Sequence, residues 1–301
     1  MEDRVALKPV LGYALAAVLA LGATLTAADS GNRVIILYDA FGNSPALTKD
    51  WGFAAYIEYG GKRILFDTGN NTPIFARNVQ ATGVDLARLD FAVISHRHLD
   101  HTAGLSYLLS VNPMVRIYAP KESFGVFGSS LPSSFYRKEE SLPESMRYYG
   151  GTPPETMTFG SAWPEGRFEV IDKTLEVAPG IHIISLVSDN PGTRELRELS
   201  LVIQTPEGVV VVAGCSHPGI DKIVAAAAAI DPRVAIVMGG FHLPAAPDAE
   251  LVRVATALKN TLKVDRLAPG HCTGEPAFAL FRKMWGERYL YAGVGSVIEL
   301  P

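Results

Sequence analysis

The chain has 301 residues, 48% of them hydrophobic and 19% charged, and a formal net charge of −4. That size and apolar fraction suit one large domain, or two small ones, with a substantial core. A slightly acidic chain with no dense Lys/Arg block lacks the electrostatic footprint of a nucleic-acid binder or of attachment to an anionic membrane.

After MEDRVALKP, residues 10–28 (VLGYALAAVLALGATLTAA) carry no charge. Arg4 and Lys8 precede this run, and Thr26, Ala27 and Ala28 are small enough to form a cleavage site, so residues 1–30 read as an export signal peptide. The run is also long enough to span a bilayer as an uncleaved N-terminal membrane anchor. Glu2 and Asp3 dilute its positive start. The expectation is an exported protein, periplasmic or secreted, that meets a membrane only if this segment is retained.

Residues 31–301 read as one domain. VIILY (34–38), FAAYIEY (53–59) and RILFD (63–67) are predicted strands, the last two joined at Gly60-Gly61 as a hairpin. A helix over 72–83 ends in glycine. FAVIS (91–95) is a buried-type strand, followed by a helix near 105–110. Residues 121–166 are rich in Gly, Pro, Ser and aromatics, and a connection this long suggests an insert or lid. Phe124, Phe127 and Tyr136 are its candidate pocket contacts. Strands follow at 168–171, 181–187, 200–205 and 209–214. Helices at 221–230, 249–260 and 275–286 alternate with strands at 234–240, 265–271 and 296–300. Early strand pairs and late β–α alternation predict an α/β fold, two mixed sheets packed face to face with helices outside.

The stretch ISHRHLDHTAG (94–104) crowds His96, His98, Asp100 and His101 into six positions behind an apolar strand. Alternate side chains share a face, so His96 and His98 point together while Asp100 and His101 lie further round the turn. Imidazole suits Zn, Fe, Ni or Cu, and a carboxylate helps hold a divalent ion, so the spacing fits two neighbouring metals. Of the other histidines, His217, His242 and His271 each follow an apolar strand and are bounded by glycine or proline, whereas His182 lies mid-strand and reads as structural. Strand tips running side by side would converge on one edge. The only cysteines, Cys215 and Cys272, flank His217 and His271. A disulfide, metal chemistry and packing all remain open for them.

The DTG at 67–69, SHRHLDH at 95–101 and the later strand-end histidines resemble the metallo-β-lactamase-fold hydrolases, over nearly the whole chain after residue 32. AGCSHPGI, GGFHL and APGHCTG look like one branch of that superfamily, similar to the ribofuranosylaminobenzene-phosphate synthase of methanopterin assembly. The resemblance implies a metallo-β-lactamase-like αββα sandwich. It implies His96 and His98 on a first metal, with Asp100, His101 and His271 on a second. Asp67 looks like a buried carboxylate orienting a ligand, with a turn-capping role as its alternative. The pattern breaks at the middle, where SDNPGTRELRELS has no histidine and Cys215 stands in place of an aspartate. His217 is therefore assigned as the third ligand of the first metal, and Cys215 or solvent takes the bridging place.

The expected activity is that of a metal-dependent hydrolase of an ester, lactone, phosphodiester or amide. It would use a metal-bound hydroxide at a binuclear site, with two divalent ions, zinc first and manganese or iron as alternatives. Asp100 would both bind metal and orient the nucleophile, and His242 would bind substrate, move a proton or serve the core. The partner is a small molecule. Arg194 and Arg197 would grip an anionic one, or are solvated surface charges beside Glu195 and Glu198. A transferase like the pterin-pathway synthase is the first alternative, disfavoured by export because that enzyme's phosphorylated substrates are cytoplasmic. A non-catalytic metal-binding protein is the second.

Overall fold

In a computed structural model of the protein, Met1 and residues 31–122 and 125–301 are described. The chain divides into Met1–Ser30 and Gly31–Pro301, and the fold is that of the second unit. The expected signal or anchor over residues 10–28 lies outside the described residues, as does Phe124. No helix among the described residues is long and apolar enough to cross a membrane.

The first half runs β1 (Arg33–Tyr38), β2 (Ala54–Tyr59), β3 (Lys62–Phe66), α1 (Thr72–Thr82), β4 (Phe91–Val93), α2 (Leu99–Thr102), α3 (Leu105–Val111) and β5 (Arg116–Pro120). The 121–166 insert contributes β6 (Ser129–Pro132) and β7 (Thr156–Phe159), an antiparallel ribbon linked by short 3₁₀ turns. Then come β8 (Arg167–Ile171), β9 (Leu175–Ala178), β10 (Ile181–Val187), β11 (Arg197–Thr205), β12 (Gly208–Ala213), α4 (Ile220–Ala228), β13 (Val234–Gly240), α5 (Asp248–Thr256), β14 (Arg266–Gly270), α6 (Glu275–Trp285) and β15 (Val297–Glu299). The sequence pattern finds all of these except the one-turn α2, β5, the insert ribbon and β9.

One sheet is ordered β15-β1-β2-β3-β4-β5-β8 and the other β14-β13-β12-β11-β10-β9. Strands β3, β4, β5 and β8 are parallel, as are β12, β13 and β14, so loops leaving their C-terminal ends gather on one edge of each sheet. The apolar runs are buried on both faces for a reason the layers make plain. Ile36, Phe66, Leu201, Val212 and Met238 fill the space between the sheets. Phe75, Leu105 and Leu108 of α1 and α3 cover the first sheet's outer face, and Val224, Leu251 and Phe281 of α4, α5 and α6 cover the second's. This is the αββα sandwich expected. Each large buried side chain contributes ~1.5–3 kcal/mol against solvent exposure.

Local signals place the elements. Asn71 caps α1 by accepting from the N–H of Ile74, and Gly83, at φ 70°, ends it. The hairpin of β2 and β3 turns through Gly60 and Gly61, both at positive φ. At the shared edge of the two sheets, the Leu199 N–H donates to the Ser95 carbonyl at 2.8 Å. That bond ties β11 to the loop leaving β4.

Phe127, expected as a pocket contact, is instead buried against Phe168 in the outer layer of the first sheet. Tyr136 packs on Phe135 and Tyr148 within the insert.

Candidate metal centre

The loop after β4 delivers Ser95, His96 and His98, and α2 presents Asp100 and His101 one turn later. The loops after β12, β13 and β14 deliver Cys215 and His217, then His242, then His271 and Cys272. The structure brings His96, His98, Asp100, His101, Cys215, His217, His242, His271 and Cys272 to one place. Their possible ligand atoms fall into groups within 4.8 Å of one another: His96, His98 and Asp100; His96, Cys215 and His217; Asp100, His101, Cys215 and His271; and Cys215, His242 and Cys272. Ring centroids agree, with His96 4.6 Å from His98 and 4.7 Å from His217.

Buried carboxylates fix how the rings face. Asp67 is fully buried, and its Oδ1 accepts from the Ser95 N–H at 2.7 Å. Its Oδ2 lies 2.7 Å from both Ser95 Oγ and His101 Nδ1. Ser95 Oγ is in turn 2.9 Å from His96 Nδ1. The serine has one hydroxyl proton, and the carboxylate takes it. His96 therefore donates from Nδ1 to Ser95, and His101 donates from Nδ1 to Asp67, leaving both Nε2 lone pairs aimed at the cluster. Asp67 thus orients a ring and caps the turn at once. Burial pushes its carboxyl above the usual range, against the pull of these donors.

His217 has the same kind of support from a residue the sequence reading set aside. Glu198, named above only as a neighbour of Arg194 and Arg197, is buried inside β11. Its Oε2 accepts from His217 Nδ1 at 2.9 Å and from the His217 N–H at 2.8 Å. Its Oε1 accepts from the N–H groups of Cys215 at 2.9 Å and Ser216 at 2.7 Å. Burial alone would raise its carboxyl, but His217 and these amides hold it below the usual range. A lone carboxylate at the mouth end of an otherwise apolar strand was the available signal. Asp39 was also missed. It follows β1 as Asp67 follows β3, and its buried Oδ2 accepts from the His271 N–H at 2.8 Å. Burial pushes its carboxyl up to about 7.

The residues fit a metal. Among the described residues, His96 Nε2 is buried without a hydrogen-bond partner. His101 Nε2, its proton already assigned to the other nitrogen, stands 3.2 Å from both His271 Nε2 and Cys215 Sγ. Lone pairs left bare in a dry site are costly unless a cation sits among them. Burial, followed by the nearby imidazoles, pushes His96 far below its usual value, so it is neutral at pH 7, the form that ligates. Asp100, 3.4 Å from His271 Nε2, is held low despite its burial by His271 and His101.

The backbone is strained here. Asp67 (φ 59°), Ser216 (66°), His242 (53°) and His271 (45°) occupy the left-handed region without being glycine. Each costs on the order of 1–3 kcal/mol, and such residues concentrate where function fixes a side chain. Gly239 does need its freedom, because at φ 104° a Cβ would lie 1.9 Å from the Ala213 carbonyl.

Cys215 and Cys272 are free thiols, so the disulfide alternative is not realised. His182 bonds Gln204 Oε1 at 3.0 Å within its sheet, away from the cluster. Arg197 bonds the Asp172 carbonyl and Ser185, and Arg194 is exposed.

Residues 50–271 match the family described as the metallo-beta-lactamase superfamily. The chain is 29% identical over 265 residues to a 7,8-dihydropterin-6-methyl-4-(beta-D-ribofuranosyl)-aminobenzene-5'-phosphate synthase of Methanocaldococcus jannaschii, covering 82% of this chain and 88% of that one. The crystal structure of Tm1679, a metal-dependent hydrolase of the beta-lactamase superfamily, matches with a TM-score of 0.67 at 25% identity, over 89% of this chain and 99% of that one. The metallo-beta-lactamase fold protein YhfI from Bacillus subtilis matches at a TM-score of 0.55 and 14% identity, over 90% and 100%, which bears on the fold alone. Sheet order, clustered histidines and family match agree: this chain belongs to the metallo-β-lactamase superfamily.

Proposed function

We propose that the protein is a binuclear metal-dependent hydrolase of a small ester, lactone, phosphodiester or amide. The observation that carries this reading is the buried, unpartnered Nε2 of His96, aimed into a cluster whose other nitrogens face one another. His96, His98 and His217 would hold one divalent ion, and Asp100, His101 and His271 the other, and Cys215 Sγ lies within ligand distance of members of both sets. Zinc suits this nitrogen and sulfur set best, with manganese or iron as alternatives. When bound, the ions lower the pKa of water and polarise the substrate oxygen. Asp100, charged at neutral pH and about one-fifth exposed, would orient the attacking water. Asp67, Glu198 and Asp39 hold the ligands in place from behind.

The test is elemental analysis of protein purified without added metal, beside a His96→Ala/His98→Ala variant. At least two equivalents of metal, with the content falling in the variant and hydrolysis lost in an ester, lactone and phosphodiester screen, is the expected result. No metal, or metal untouched by the double substitution, would sink the reading. A second reading, a transferase like the synthase of M. jannaschii, rests on the 29% identity over most of both chains. Product formation from that enzyme's substrates, with no hydrolysis in the screen, would favour it.

A further inference from the structure

Cys272 belongs to neither of the two ligand sets above, yet it is buried within the same cluster. Its Sγ, the Sγ of Cys215 and a ring nitrogen of His242 lie within 4.8 Å of one another. Three separate loops, after β12, β13 and β14, converge to make this group. Cys272 Sγ also reaches the Cys215 carbonyl at 3.6 Å. The thiol is cradled closely, since a Cβ at Gly240 would lie 2.8 Å from it. His242 is exposed and is turned toward the thiols by a left-handed backbone at φ 53°.

We propose that Cys215, His242 and Cys272 form a third metal site, which takes one zinc-like ion beyond the two of the hydrolytic pair. Two sulfurs and one imidazole are a soft ligand set, and zinc or cobalt(II) suits it tetrahedrally, with a fourth position open toward solvent beside His242. The Cys215 sulfur would be shared with the hydrolytic pair, and His242 becomes a ligand instead of the substrate contact or proton carrier expected from sequence.

The test counts zinc per chain in protein kept reduced, equilibrated with zinc and desalted, for wild type, Cys272→Ser, His242→Ala and His96→Ala/His98→Ala. Wild type is expected to hold about one equivalent more than either Cys272→Ser or His242→Ala. The His96/His98 variant should keep the third equivalent, which separates failure of this site from failure of the hydrolytic reading. Cobalt(II) protein should show sulfur-to-cobalt charge-transfer absorption that falls by roughly half in Cys272→Ser. His242→Ala, being at an exposed position, serves if the serine variant does not fold. Equal zinc in wild type and both single variants would overturn the proposal. So would the absence of free thiols in the denatured, unreduced protein, which would mean a Cys215–Cys272 disulfide.

Discussion

The two sheets hold their shares of the centre by different means. The first sheet supplies His96, His98, Asp100 and His101 from one stretch, and side chains steady them: Asp67 through Ser95 for His96, and Asp67 directly for His101. The second sheet supplies one or two residues from each of three loops. There the backbone does more of the holding, with Ser216, His242 and His271 all in the left-handed region. A ligand run close in sequence needs a shared carboxylate to aim it. Ligands delivered singly are aimed by the turn that ends each strand.

That contrast is sharpest where one backbone atom carries it. Gly239→Ala would press a Cβ onto the Ala213 carbonyl between two parallel strands, so it belongs with the exceptional losses, ~5 kcal/mol or more. Insoluble protein, or a collapsed denaturant midpoint, is expected, and a normal midpoint would show that β12 and β13 separate easily. On the first sheet the matching break is Asp67→Ala. It strands the Ser95 amide, the Ser95 hydroxyl and His101 Nδ1 in a dry site, for a loss of roughly 3–5 kcal/mol by urea unfolding of metal-free protein. A loss under ~1 kcal/mol would mean that side chains do not hold this half.

Glu198→Gln tests the exception, a ligand of the second sheet supported by a carboxylate. Glutamine's one carbonyl oxygen still accepts from the Cys215 and Ser216 amides, but its NH2 faces the His217 N–H and Nδ1, so His217 loses its acceptor and metal affinity should fall ~10–100-fold with the fold retained. The same pair gives a pH test. Because the folded carboxyl of Glu198 lies below its ordinary value of 4.5, its stabilisation is present above that pH and is lost as pH falls through the folded value. Metal-free wild type should therefore lose stability below about pH 4.5 more steeply than Glu198→Gln. Parallel curves would show the carboxylate to be neutral in the fold.

The sequence carried the αββα sandwich and the convergence of the histidines, because buried strands and strand-end histidines leave local patterns. It did not carry Glu198, whose neighbours Arg197 and Glu195 are at the surface. Only pairing of β11 with β12 reveals that this glutamate faces the His217 turn. Asp39 was hidden for a similar reason. Its partner, the His271 amide, is 232 residues away. Phe127 misled in the opposite direction, since an aromatic in a long insert reads as a pocket contact when its ring instead fills the outer layer.

The bond from His271 to Asp39 also says something about order of assembly. It closes a loop that embraces nearly the whole domain, and closing so long a loop is entropically costly and slow. The centre is complete only when β1, near the start of the domain, meets the turn after β14, near its end. A chain still emerging from the ribosome can display the His96–His101 stretch early, but the second sheet's ligands arrive last. Capture of ions at full affinity would thus report that folding has finished, and their loss is expected to loosen first the join between the two sheets.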